Sequence, residues 1–183
     1  MILKSSKTIR IGLDIDDVLS DFYGAYCRYF DTDNNPKMLI DNNITRNVHR
    51  VLRKDRDFWL NLGVKQSPNF VPELFCTKRI NNKAWTKKWL QINDLPNSPV
   101  YQMFTQSGNK ARMVKGRVDV FVDDSISNMI MMNLSGVPCL LMDTPNNQDW
   151  GPIGRIYTLD KDEVIDIYNL FMKTIFPNFK NLL

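Results

Sequence analysis

The acidic residues of this chain gather at two places. In GLDIDDVLSDF, Asp14, Asp16 and Asp17 close an apolar run. In VDVFVDDSISN, a second apolar run ends in Asp123 and Asp124. Carboxylates packed this closely repel one another, and a divalent cation or a phosphate-handling role offsets that cost. A hard cation such as Mg²⁺ takes oxygen ligands from one or two carboxylates, plus water and phosphate oxygens. Each cluster also has a plainer reading. Asp16 or Asp17 could cap a helix starting near Val18, and Asp124 or Ser125 could cap the one that follows. Capping accounts for one Asp in each motif, but not for paired carboxylates at two strand ends.

Two weaker signals accompany them. In LFCTKR, Thr77 ends an apolar run and is followed by Lys78 and Arg79. A hydroxyl and backbone N–H groups there could hold a phosphate oxygen, although an ordinary strand-to-loop Thr has the same appearance. A lysine between Thr77 and the second Asp pair could neutralise a nucleophile and a transferring phosphoryl group. Lys110 in GNKAR and Lys115 in VKGR both qualify, and a surface lysine is the ordinary alternative.

The elements that must position these groups follow from hydrophobic periodicity. Residues 8–15 (TIRIGLDI) read as a buried strand, and 18–30 as a helix with Val18, Leu19, Phe22, Tyr26 and Phe30 at helical spacing. An Asn/Asp/Pro-rich loop follows, then a helical stretch from Ile44 to Leu62 with no good strand. After Pro72 strands and helices alternate. Strands are expected at 73–77, 99–105, 118–122, 138–142 and 155–159, and helices at 82–93, 110–115, 125–134 and 163–176. This alternation implies an α/β fold with a parallel sheet covered on both faces, and ligands bound beyond the carboxyl ends of its strands. Residues 1–19 and 71–183 would form the core, with 20–70 a helical insertion.

Composition narrows the classes. With 43% hydrophobic residues the chain can bury a real core. A net charge of +4 suits an anionic small substrate but is too weak and scattered to argue for nucleic-acid binding. The basic run from Arg46 to Arg56 reads as a solvated helix face. Cys27, Cys76 and Cys139 are odd in number, without CxxC spacing, as expected of reduced buried thiols in a cytoplasmic protein. His49, the sole histidine, lies in a polar stretch and gives a thiol nucleophile little support. No segment is long enough to span a membrane, and the N-terminus is too polar for a signal peptide.

The Asp14-Ile15-Asp16, Thr77, Lys110 and Asp123-Asp124 motifs, in this order over nearly the whole chain, resemble the haloacid dehalogenase-like (HAD) superfamily of phosphohydrolases. The resemblance implies a three-layer Rossmann-like core with a small helical cap inserted after the first strand. It implies that Asp14 is a nucleophile forming an aspartyl-phosphate and Asp16 a general acid and base. Mg²⁺ would be held by Asp14, the backbone carbonyl of Asp16, and Asp123 or Asp124. Thr77, Lys78 and Lys110 would bind phosphate, Lys110 fitting better than Lys115 because ARMVKGR leaves room for a helical turn before the strand. The phrase DFWLNLGVKQSPNF is similar to the cap segment of 5'(3')-deoxyribonucleotidases, which makes Phe22, Phe58 and Trp59 candidates for a wall around a nucleobase. The alternative is that these rings pack the cap's own core. The resemblance thus implies a small phosphorylated substrate, a nucleotide first. A polynucleotide 3'-phosphatase and a catalytically silent binding or structural protein are the competing readings. A phosphate-accepting receiver module fits less well, because there the acceptor Asp ends a middle strand, where this chain has Thr77. Two positions depart from the family pattern: Asp17 replaces a common Gly, and Asn128 stands where many members carry an acid.

Overall fold

The computed structural model describes residues 8–31, 50–103 and 109–181. Its framework is a single sheet of six strands: β1 (Ile11–Leu13), β2 (Leu74–Thr77), β3 (Val100–Gln102), β4 (Val120–Asp123), β5 (Cys139–Met142) and β6 (Arg155–Ile156). Every pairing is parallel, in the order β3-β2-β1-β4-β5-β6. Strands β1, β2, β4 and β5 are buried at every position. Such runs form where both faces of a sheet are covered. The fold is the expected α/β, Rossmann-like architecture.

The described α-helices are α1 (Phe22–Tyr29), α2 (Arg56–Leu60), α3 (Lys83–Ile92), α4 (Lys110–Val114), α5 (Ile126–Leu134) and α6 (Lys161–Thr174). The strand order reverses between β1 and β4, and ligands in such sheets bind in the crevice opened at that reversal. The register there is set at both ends. Leu13 lies opposite Val122, and the Asp14 N–H donates to the Val122 carbonyl at 2.9 Å. At the start of the strands, the Arg10 backbone N–H and Nε donate to Asp119 Oδ2 at 2.9 and 3.1 Å. A one-residue slip would turn every side chain of β1 to the opposite face. Gly12 is required by this pairing, since a Cβ there would stand 2.8 Å from Phe121 Cδ2 and 2.9 Å from Val118 Cγ1.

Several boundaries differ from the sequence expectation. Helix α1 begins at Phe22 rather than Val18, because the Leu19 and Ser20 amides donate to the Ile15 carbonyl and the Asp17 amide to Ser20, closing a tight turn first. The stretch expected to be helical to Leu62 contains a 3₁₀ turn (Leu52–Lys54) and the short α2, divided at Asp55. Asp55 adopts an extended conformation and caps α2 by accepting from the Phe58 N–H. β6 ends at Ile156. Ile44, Val48, His49, Phe104 and Thr105 lie outside the described residues. The described part of the insertion is not a detached layer: Leu52, Phe58, Trp59 and Leu62 belong to the same buried cluster as the sheet. The Trp89 indole N–H of α3 donates to the Leu62 carbonyl at 2.8 Å. All three cysteines are buried, and no disulfide joins them. No described helix is long and apolar enough to cross a membrane.

Candidate functional site

The crevice between β1 and β4 is built around one buried cation. Lys110, at the first position of α4, is 2% exposed. Its Nζ lies 2.5 Å from Asp14 Oδ2 and 2.7 Å from Asp123 Oδ2. Burial alone would lower the lysine pKa, but Asp123 and Asp14 outweigh it and hold the ammonium well above its ordinary range. Lys115 lies elsewhere, its Nζ donating to the Ser135 carbonyl. Both oxygens of Asp123 are occupied. The Ser125 amide donates to Oδ1, and the Asn128 side-chain amide donates to Oδ1 at 3.0 Å and Oδ2 at 3.3 Å. Lys78 Nζ in turn donates to Asn128 Oδ1 at 2.7 Å. Asn128 therefore bridges a second lysine to the acidic pair.

Negative charge exceeds this supply of cations. Burial raises the Asp14 carboxyl to about 7, with Lys110 opposing and Asp123 and Asp16 reinforcing the shift. Burial likewise raises Asp17 to about 7 and pushes Asp124 well above the usual carboxylate range, with Asp17 and Asp123 adding to the latter. Asp17 has φ 59°, the left-handed region that Asp tolerates better than most residues and glycine best, so the backbone turn there is one that either residue can make.

Oxygens of Asp14, Asp123 and Asp124 lie within 4.8 Å of one another. Trans ligands of an octahedral Mg²⁺ with bonds of about 2.1 Å stand roughly 4.2 Å apart, so small side-chain adjustments would bring the three onto one ion. The Asp124 carboxylate accepts no hydrogen bond among the described residues. Its backbone is held instead, the Asn147 side-chain amide donating to the Asp124 carbonyl at 2.8 Å. The donor set is all oxygen and carries surplus negative charge, which fits a hard divalent cation.

The capping alternative holds at Ser125 but not at Asp16 or Asp124. Asp21 is the N-cap of α1 and Ser125 the N-cap of α5. Asp17 contributes in part, accepting from the Tyr23 N–H of the first turn at 3.0 Å. Asp16 caps nothing. Arg79 Nε donates to its Oδ1 and Oδ2 at 2.9 and 3.1 Å, and Nη2 to Oδ1 at 2.7 Å. Thr77 Oγ1 donates to Asp16 Oδ2 at 3.3 Å and Ser20 Oγ to Oδ1 at 3.1 Å. Sequence reasoning missed Arg79 and Ser20. The available signal was a second cation directly after Lys78 in TKR, beyond what one phosphate-binding residue requires.

Phe22, Phe58 and Trp59 pack on one another. Phe22 and Trp59 are stacked at 5.7 Å, and Phe58 meets each of them edge-on, at 6.0 and 5.3 Å. Trp59 is 1% exposed, and its indole N–H donates to the Leu52 carbonyl. The Arg79 guanidinium lies 5.2 Å from the Trp59 ring and 5.1 Å from that of Trp89.

No protein-family model matches the chain, and no curated protein matches it. Among solved structures the chain is similar to a HAD-superfamily hydrolase, subfamily IA, variant 1, from Geobacter sulfurreducens PCA. The two share 11% identity over 89% of this chain and 96% of that one, with a TM-score of 0.47. A likeness of that strength carries no argument about chemistry.

Proposed function

We propose that the chain is a HAD-type, Mg²⁺-dependent phosphohydrolase acting on a small phosphate monoester, with nucleoside monophosphates as the first substrate class. The observation that carries this reading is the Asp14–Lys110–Asp123 bridge at the sheet reversal, with the Asp124 carboxylate, which has no hydrogen-bond partner among the described residues, beside it. The carboxylates of Asp14 and Asp124 and the backbone carbonyl of Asp16 would hold Mg²⁺. Asp124 is favoured over Asp123 as the direct ligand because Lys110, Ser125 and Asn128 all hold the Asp123 carboxylate, whereas that of Asp124 accepts no hydrogen bond among the described residues. The ion would supply charge neutralisation between nucleophile and phosphate.

In the first step an Asp14 carboxylate oxygen bonds to phosphorus, and the bond from phosphorus to the leaving oxygen breaks. Asp16 gives its proton to that oxygen. In the second step Asp16 removes a proton from water. The water oxygen bonds to phosphorus, the Asp14–phosphorus bond breaks, and inorganic phosphate leaves. Lys110, Lys78 and Thr77 hold the phosphoryl oxygens, a role in which one donor contributes about 10²–10³ in rate. Phe22, half-buried, is the ring best exposed to meet a base, and Phe58 and Trp59 support it from behind.

The test is phosphate release from nucleoside 5'-monophosphates, sugar phosphates and 3'-phosphorylated DNA, each with Mg²⁺ and with a chelator. Release from nucleotides that the chelator stops is the expected result. Release from the DNA alone would favour a polynucleotide 3'-phosphatase. A protein that binds Mg²⁺ yet releases phosphate from none of them would leave the silent-binder reading standing and remove this one.

A further inference from the structure

The two steps above give Arg79 nothing to do, yet it is among the most completely buried large side chains. The ion pair it makes is asymmetric: its side chain is 0% exposed, while that of Asp16 is 22% exposed. The carboxylate reaches the crevice and its partner is sealed beneath it. Nε and Nη2 grip both carboxylate oxygens and Nη2 also donates to Ser20 Oγ, whereas Nη1 has no partner among the described residues. The guanidinium in turn lies between two indoles from different parts of the chain: Trp59 from the insertion and Trp89 from α3.

We infer that Arg79 is a positioning residue, which fixes the orientation of the Asp16 carboxylate for proton transfer, and that Trp59 and Trp89 hold Arg79 in place. The inference rests on the phosphohydrolase reading. A general acid must come within about 2.6–3.2 Å of the oxygen it protonates. A carboxylate on two rotatable bonds does not hold that geometry unaided, and displacement by about 1 Å costs on the order of 10² in rate. A planar fork with several donors fixes a carboxylate, whereas a lysine in its place supplies charge without orientation. The insertion thereby acts on the chemistry through Trp59, by holding the residue that aims the acid.

The experiment compares an alkyl ester, a nucleoside monophosphate, with p-nitrophenyl phosphate, whose leaving group departs without a proton. In Arg79→Lys, the first step on the alkyl ester should fall about 10- to 100-fold. The nitrophenolate burst should persist, followed by slow turnover, because Asp16 is still needed to activate water. In an Asp16→Asn background the same substitution should cost nothing further. Equal loss of the first step on both esters, or no loss on either, overturns the inference while leaving the hydrolase reading intact. A wild-type protein inactive on both esters with Mg²⁺ overturns the hydrolase reading and the inference with it. Should Arg79→Lys fail to fold, Trp59→Phe is read in the same way. It should lower the alkyl-to-aryl ratio of first-step rates about two- to fivefold, and an unchanged ratio overturns the inference.

Discussion

Lys110 and Arg155 are both buried cations set against carboxylates at neighbouring parts of the sheet, but their surroundings differ in charge balance. Arg155 Nη1 meets Asp143 Oδ1 at 2.5 Å and Asn147 Oδ1 at 2.7 Å, and its Nη2 donates to the carbonyls of Asn147 and Trp150. One guanidinium faces one carboxylate, and its other acceptors are neutral. Lys110 instead bridges two carboxylates, while Asp17 and Asp124 crowd the same crevice. Burial of an ion pair is favourable only when charge and hydrogen bonds are matched, and mismatch is tolerated where a ligand completes the site. On the proposed function the balanced region is structural and the unbalanced one would take a cation and a phosphate. Asn147 joins them, since it contacts Arg155 on one side and the Asp124 carbonyl on the other.

The contrast can be broken most sharply at Asp14. Asp14→Asn should abolish phosphate release, a loss of at least about 10³-fold, while the thermal midpoint stays level or rises because a repelled buried charge is gone. Loss of activity together with loss of fold would erase the distinction between the two regions. Lys110→Met should do the opposite for stability. It leaves Asp14 and Asp123 buried without their cation, at a cost of about 3–5 kcal/mol by denaturant titration, and added Mg²⁺ should recover part of that. Arg155→Met should cost less, about 2 kcal/mol, since Asp143 is 31% exposed and water can take over its solvation. Mg²⁺ should recover nothing there, and turnover should stay within a few-fold of wild type.

The smallest expected effect is a pH slope. Asp14 and Asp17 titrate near 7 in the folded protein and near 4 when unfolded. Between those values the folded state holds protons that the unfolded chain has released, so metal-free stability should fall as pH rises through this window. Saturating Mg²⁺ selects the deprotonated carboxylates and should flatten or invert the slope. A metal-free protein whose stability rises from pH 4 to 7 would show that the crevice is as well balanced as the Arg155 region.

The strands were legible because each is an apolar run bounded by turn residues, and two of them end in acids. Asp14 beside Asp123 follows from that pattern once β1 and β4 are neighbours. Arg79 was not legible, because one basic residue after a strand looks the same whether it is solvated or sealed between Trp59 and Trp89. Only the packing of α2 against α3 distinguishes the two cases. The start of α1 was misjudged because Val18 and Leu19 have helical spacing, yet the amides that a helix needs there are drawn back to Ile15. At Asn128 the resemblance marks only a departure from a common acid, whereas the contacts show an amide joining Lys78 to Asp123.

The pairing of β1 with β4 also bears on how the protein comes into being. Arg10 and Asp119, which pin that pairing, are 109 positions apart. Closing so long a loop is slow relative to local structure, because its entropic cost must be met before the contact is rewarded. A nascent chain would carry Asp14 with neither Lys110 nor Asp123 available until those later segments emerge. Competence to bind a metal ion would then arrive as one late event, when the fourth strand docks, which would leave little opportunity for a half-built site to capture ions.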